Sequence, residues 1–157
     1  MNETLLPVYP NCLSTLAHND VTLSEIYDKI KNDETLRQRT ENYRKAIEAD
    51  LPAKQLKKLK AEQFPMLMPA ARFKNGREME HLVSYTCLCQ CDIDNIPSDI
   101  MEEAKRRVRE LPFVVMYHVS MSGHGLHVYY FYQIPNCGLT PQVYQQAFIQ
   151  GNECIGK

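Results

Sequence analysis

The chain has 157 residues, of which 44% are hydrophobic and 24% are charged, and this composition argues against a wholly disordered protein. Its net charge of -1 excludes a generally basic surface, so any surface that binds nucleic acid must be local. No apolar run approaches the about 20 residues that span a bilayer, and the N-terminus does not resemble a secretion signal. We therefore expect a cytoplasmic protein with no membrane partner, whose six cysteines are reduced thiols.

The first 63 residues predict an irregular arm followed by three helices. Prolines and polar turn formers indicate an irregular segment up to about residue 20. Thr22-Leu23-Ser24-Glu25 has the capping-box pattern and predicts the start of the first helix. A second helix is expected to start near Asp33 and to end before Pro52, and a third, basic helix ends before Pro65.

Residues 64–157 predict a sheet with an inserted helix. Strand formers predominate in four segments, 64–73 (interrupted by Pro69), 81–94, 113–121 and 126–134. Apolar residues at helical spacing predict helices over 99–110 and 141–150. The fold class is therefore α+β, with N-terminal helices before a mostly antiparallel sheet. We expect regions 1–63 and 64–157 to form one compact domain together.

Two aspartates at the end of a predicted strand are the first candidate site. Asp92 and Asp94 are two residues apart, so in a strand they point to the same side, about 7 Å apart. Two neighbouring carboxylates repel each other unless a cation, a basic neighbour or water compensates, and hard oxygen ligands suit Mg²⁺ or Mn²⁺. A pair of aspartates that cap the following turn is an equally good interpretation of this motif alone.

A glycine-rich turn between the last two predicted strands is the second candidate site. It contains Ser122, Gly123 and Gly125, and His127 follows on the next strand, facing away from Leu126 and Val128. Consecutive N–H groups in such a turn can bind an anion, and a histidine can donate to a phosphate oxygen. Taken alone, the motif is more typical of an ordinary hairpin with a surface histidine.

Two basic stretches are candidates for contacts with nucleic acid. The cations are Lys54, Lys57, Lys58 and Lys60 in the first stretch, and Lys105, Arg106, Arg107 and Arg109 in the second. Each stretch is more typical of a solvated helix face.

Three cysteines alternate along the second predicted strand. Cys87, Cys89 and Cys91 have a spacing that zinc sites do not normally use, and no partner pair follows. We interpret them as small buried thiols on the face opposite Asp92 and Asp94.

Taken together, the two candidate sites resemble the archaeo-eukaryotic primase superfamily. More narrowly, residues 81–97 (HLVSYTCLCQCDIDNIP) and 110–130 (ELPFVVMYHVSMSGHGLHVYY) resemble the VirE N-terminal primase-like domain of bacterial mobile-element proteins. The resemblance implies a primase-like, RRM-like core. It also implies that Asp92 and Asp94 are catalytic ligands of Mg²⁺ or Mn²⁺, and that His127 contacts the triphosphate beside a loop shaped by Ser122, Gly123 and Gly125.

The implied activity is nucleotidyl transfer by a primase or primase-polymerase of a replication or mobile-element protein. The implied partners are an NTP or dNTP, a single-stranded DNA template and a downstream helicase domain, with Lys105, Arg106 and Arg109 near template phosphates. The superfamily has a third acidic motif on a later strand, but the only acidic residue after His127 is Glu153. We therefore expect a domain that is incomplete at its C-terminus and, by itself, inactive or poorly active.

Two other functions are compatible with the pattern. A non-catalytic nucleic-acid-binding module of a mobile-element protein would use the same sheet without metal chemistry. A metal-dependent rolling-circle type nuclease would need a His-hydrophobic-His pair. His124 and His127 are separated by two residues, which would place them on opposite faces of a strand and argues against the nuclease.

Overall fold

The computed structural model describes residues 4–17, 19–132 and 140–156, and the chain forms two compact units, Met1–Thr86 and Cys87–Lys157. Helices and antiparallel sheets occur together, so the predicted α+β class is confirmed. None of the described helices is both long and apolar enough to span a membrane.

The described residues of the N-terminal unit form two small sheets and three α-helices. Its strands are β1 (Leu6–Tyr9), β2 (Asn19–Val21), β3 (Met66–Leu67), β4 (Ala71–Phe73) and β5 (Leu82–Tyr85), and its helices are α1 (Leu23–Asn32), α2 (Glu34–Glu48) and α3 (Ala53–Gln63). One sheet has the order β2-β1-β3 and the other pairs β4 with β5, all antiparallel. A short 3-10 helix, Met79–His81, precedes β5.

The three predicted N-terminal helices are confirmed. The capping box is formed, because the Glu25 N–H donates to Thr22 Oγ1 and the Thr22 N–H donates to the Glu25 carboxylate. Asp33 caps α2 through the Leu36 N–H at 2.9 Å. The α2 helix ends before Pro52, as predicted from the loss of an N–H donor at proline.

The predicted irregular arm is wrong over β1 and β2. Leu6 and Tyr9 are almost completely buried, and β1 pairs with β2 on one side and with β3 on the other. The prolines suggested a break, but the burial of these two side chains outweighs that local preference.

In its described residues, 87–132 and 140–156, the C-terminal unit forms a three-stranded antiparallel sheet with two helices. Its elements are β6 (Leu88–Ile93), α4 (Met101–Glu110), β7 (Val114–Val119), β8 (Leu126–Phe131) and α5 (Pro141–Ile155), and the strand order is β6-β8-β7. These elements confirm the predicted strand, inserted helix and hairpin. The predicted end of the last strand, residues 133–134, lies outside the described residues.

The long strand predicted over 81–94 is two strands. Cys87 has a φ of 61°, a left-handed conformation that interrupts the extended chain between β5 and β6, and it is only partly buried. The alternation of side chains predicted for β6 nevertheless holds. Cys89 and Cys91 lie in the core with residues of α4, and burial raises the pKa of both thiols, which confirms these two as buried thiols.

Helix α5 packs closely on the sheet through Gly151. A methyl group at this position would overlap the ring of Tyr130, whose hydroxyl oxygen lies 3.1 Å from the Phe148 carbonyl oxygen and 3.0 Å from Asn152 Oδ1. The helices thus cover the cysteine-bearing face of the sheet, and the opposite face carries the polar side chains described next.

Candidate functional site

Asp92 and His127 are direct neighbours across β6 and β8. The register pairs them, and His127 Nδ1 lies 2.6 Å from Asp92 Oδ1. Because a carboxylate only accepts hydrogen bonds, the proton of this bond is on Nδ1, which leaves Nε2 available to another ligand. The Asp92 side chain is 50% exposed and that of His127 is 16% exposed. The geometry is that of a carboxylate fixing the orientation of an imidazole.

Gln90 adds a second hydrogen bond to this pair. It precedes Asp92 by two residues on β6 and therefore lies on the same face of the sheet. Its amide Nε2 is 2.7 Å from Asp92 Oδ1 and 3.2 Å from His127 Nδ1. Since both nitrogens are donors here, the amide donates to the carboxylate, and Asp92 Oδ1 accepts from both neighbours.

Gln90, Asp92 and His127 form a row of polar side chains across β6 and β8. His118 extends this row onto the third strand, β7. The register pairs His118 with His127, and their ring centroids are 5.0 Å apart with 30° between the planes. The Tyr129 ring stacks on His118 with a centroid distance of 5.9 Å. Burial lowers the pKa of His118 and raises that of Tyr129, so both are neutral near pH 7.

The lowered pKa of His118 predicts a pH dependence of stability. The unfolded chain binds this proton more readily than the folded chain, so the contribution is complete above the ordinary pKa of 6.5 and is lost as the pH falls below it. We expect the free energy of unfolding, measured by urea denaturation, to decrease from pH 7 to pH 5. His118→Phe should reduce that slope, and an identical slope in the variant would contradict the assignment.

The turn between β7 and β8 is built around two glycines with different roles. Gly123 has a φ of 86°, which side-chain-bearing residues rarely adopt. Gly125 approaches the end of β6 so closely that a Cβ there would lie 2.5 Å from the Ile93 carbonyl oxygen. The turn is also joined to the loop after β6 by the Ile96 N–H, which donates to the His124 carbonyl at 2.8 Å. Gly125 therefore brings the two candidate motifs together.

Several polar groups of this turn form hydrogen bonds within the turn itself. The Gly123 N–H donates to the Ser120 carbonyl at 3.0 Å, and the Ser120 N–H donates to the Gly125 carbonyl at 2.8 Å. Ser122 Oγ lies 3.0 Å from Ser120 Oγ. The turn that the sequence predicts to bind an anion precedes His127, and at least two of its N–H groups stabilise the turn itself.

Asp94 does not share the contacts of Asp92. The strand β6 ends at Ile93, so Asp94 lies one residue beyond it and is exposed, before Asn95 with a φ of 56°. Its Cα would lie 3.5 Å from a Cβ built on Gly125, which places its backbone beside the turn. The expectation that both aspartates project from one continuous strand is therefore wrong, although both lie at this end of the sheet.

The carboxylates of Asp92 and Asp94 are suitable ligands for Mg²⁺ or Mn²⁺ but form only part of a site. Such ions take about six oxygen ligands, several of them water or substrate oxygens. Over residues 4–17, 19–132 and 140–156, no three His, Cys, Asp or Glu side chains are grouped so that they could hold a metal ion. A complete metal site would need donors from a nucleotide or from another carboxylate.

The predicted nucleic-acid contacts on α4 are engaged by partners within their own unit. Lys105 pairs with Glu102, Arg106 pairs with Glu103 and Glu110, and Arg109 donates to Tyr117 Oη at 2.8 Å. Hydrogen bonds from Arg106 and Arg107 lower the pKa of Glu103 to about 2. This pairing favours the interpretation of α4 as a solvated helix face.

The sequence analysis did not place Gln90, His118 or Tyr129 at the site. Alternation along β6 could have placed Gln90 beside Asp92. The positions of His118 and Tyr129 beside His127 depend on the register between strands, which the sequence pattern does not specify.

The chain belongs to the family described as BT4734-like, N-terminal domain, whose sequence model matches residues 58–156. The match includes Asp92, Asp94, His127 and the glycine turn, and the family's description names no activity. No curated protein and no solved structure matches the chain.

Proposed function

We propose that the C-terminal unit binds an NTP or dNTP as part of a primase or primase-polymerase type nucleotidyltransferase. The observation that supports this most is the 2.6 Å contact between Asp92 and His127. These residues belong to the two motifs through which the chain resembles the primase superfamily, and they are separated by 35 positions in the sequence. Nothing in either motif alone requires that they meet.

In this proposal each residue has a role that suits its chemistry. The carboxylates of Asp92 and the exposed Asp94 would hold Mg²⁺ or Mn²⁺, and the ion would supply charge neutralisation for the phosphates and activation of a 3′-hydroxyl. His127 donates from Nε2–H to a triphosphate oxygen while Nδ1–H donates to Asp92, so in the nucleotide complex both ring nitrogens carry a proton. Ser122, Gly123 and Gly125 form the wall of the phosphate site.

The wider setting of the activity is part of the same proposal. The template is single-stranded DNA, and the protein serves replication or a mobile element in the cytoplasm, with a helicase domain as a partner. Lys105, Arg106 and Arg109 would contact template phosphates only by giving up the partners they have on α4 and β7. Their contribution to template binding is therefore expected to be small.

Isothermal titration of dATP and ATP, with and without Mn²⁺, tests the proposal. Asp92→Asn with Asp94→Asn should abolish the metal-dependent binding, because two anionic ligands are lost. The variant should remain as stable as the original chain, since the amide introduced at position 92 retains an oxygen acceptor for His127 and Gln90.

The matched control replaces two exposed aspartates outside the row, Asp28→Asn with Asp99→Asn, and should keep the binding. Equal metal-dependent binding by the site variant and the control would contradict the proposed site. If the site variant unfolded, that result would indicate that Asp92 and Asp94 have a structural role instead.

A non-catalytic nucleic-acid-binding module is the second candidate function. The observation that favours it is that, in the described part of the chain, no third metal ligand is grouped with Asp92 and Asp94. This function predicts that a single-stranded oligonucleotide binds equally well with Mn²⁺ and with EDTA, and that dATP does not bind.

A further inference from the structure

The ring of His118 is fixed at both of its nitrogens. Nδ1 is 3.0 Å from the Val119 carbonyl oxygen, so this nitrogen carries the proton and donates it. Nε2 is 3.4 Å from Tyr129 Oη and is then the acceptor for the tyrosine hydroxyl, in a long hydrogen bond. Tyr129 also stacks on the ring, and only 4% of Tyr129 is exposed. His118 is thus held in one orientation and one neutral tautomer.

This fixed ring lies against one side of His127. The two ring centroids are 5.0 Å apart, a distance at which flat rings contact each other. Asp92 and Gln90 contact His127 from the other neighbouring strand, through Nδ1. His127 is therefore confined between β6 and β7, and rotation of its ring would break either the hydrogen bond or the ring contact.

The charges of the neighbours are compatible with this arrangement. The groups that face His118 from the adjacent strand are His127 and Tyr129, and Asp92 lies beyond His127 in the same row. A second cation in place of His118 would repel a protonated His127, whereas a neutral ring does not.

We propose that His118 is a positioning residue, whose fixed ring holds the His127 imidazole so that Nδ1 donates to Asp92 and Nε2 faces away from it, on the side proposed for the triphosphate. The identity of the ligand rests on the proposed function. The orientation and tautomer of His127 do not, so the two can be tested separately.

Long-range ¹H–¹⁵N NMR spectra of the histidine rings at pH 8 test the orientation directly. A free histidine side chain prefers the proton on Nε2, whereas the intact chain should show His127 with the proton on Nδ1. His118→Phe keeps a flat ring and should preserve this tautomer. His118→Leu keeps a similar volume without the ring, and should give a mixture of both tautomers.

Nucleotide titration gives the functional consequence. His118→Leu should weaken the binding of Mn²⁺-dATP by roughly 3- to 10-fold, the equivalent of one aromatic contact, while deoxyadenosine binding is unchanged. His118→Phe should restore the dATP affinity. If His118 had a purely structural role, His118→Leu would weaken the binding of dATP and of deoxyadenosine to the same extent.

Two results would overturn the proposal. One is a mixture of His127 tautomers in the unaltered chain, and the other is an unchanged Nδ1–H tautomer in His118→Leu. If the leucine variant does not fold, His118→Met serves as the ringless comparison with the same expected outcome. If the unaltered chain does not bind dATP, the proposed function fails, and the NMR comparison still decides the role of His118.

Discussion

Gly125→Ala is expected to lower the free energy of unfolding by about 1–3 kcal/mol, the range for overpacking a close contact. The added methyl group would lie 2.5 Å from the Ile93 carbonyl oxygen and 3.3 Å from Ser120 Oγ. The first neighbour is backbone of β6 and cannot rotate away, so either the β7–β8 turn or the end of β6 must move. The same displacement would separate the turn from Asp94, and we expect metal-dependent nucleotide binding to weaken as well.

Urea denaturation followed by circular dichroism measures the first part of this prediction. Gly156→Ala is a suitable control, because its added methyl group would lie 3.3 Å from the Asn152 carbonyl oxygen, a contact that a small adjustment relieves. Equal stability of Gly125→Ala and the original chain would mean that the turn does not pack against β6 as described.

His127→Ala is expected to weaken the binding of Mn²⁺-dATP by roughly 10- to 100-fold. This range corresponds to the loss of one hydrogen bond to a charged group, about 1.5–3 kcal/mol. Deoxyadenosine should bind as before, because it has no phosphate for Nε2 to contact. The half-exposed Asp92 carboxylate can take water in place of the lost imidazole, so we expect little loss of stability.

The matched control for this substitution is His124→Ala, which removes an exposed histidine from the adjacent turn. Its backbone carbonyl, which accepts the Ile96 N–H, is retained. An equal loss of affinity for dATP and deoxyadenosine in His127→Ala would remove this residue from the phosphate site.

Local sequence signals predicted most of the helices and the hairpin correctly. The capping box at Thr22, the proline at position 52 and the glycines after β7 each determine the backbone within a few residues. Such signals act over short distances, and they were sufficient for the α+β class.

Non-local burial explains the elements that sequence reasoning missed. Leu6 and Tyr9 belong to a strand, β1, that is formed because β2 and β3 pair with it on both sides. No feature of residues 1–20 predicts this pairing. The left-handed conformation of Cys87, which divides the long predicted strand, is equally invisible in a run of strand formers. For β1, strand pairing and burial override the local preference.

The candidate site was predicted in its parts but not in its arrangement. The sequence identified Asp92, Asp94, His127 and the glycine turn as separate motifs, and alternation assigned Asp92 to the face opposite Cys91. The contact between Asp92 and His127 and the row that continues to His118 depend on the pairing register of three strands. Asp94 follows β6, which ends one residue earlier than the predicted strand.

Paramagnetic broadening of backbone amide signals by Mn²⁺, with Mg²⁺ as the diamagnetic reference, tests the central claim most directly. If Asp92, Asp94, His127 and the turn form one metal and nucleotide site, substoichiometric Mn²⁺ with dATP should broaden the signals of residues 92–95 and 122–127 first. Signals of helix α5, which covers the opposite face of the same sheet, should broaden later. Broadening that is absent, uniform along the chain or centred on another group of carboxylates would contradict the site.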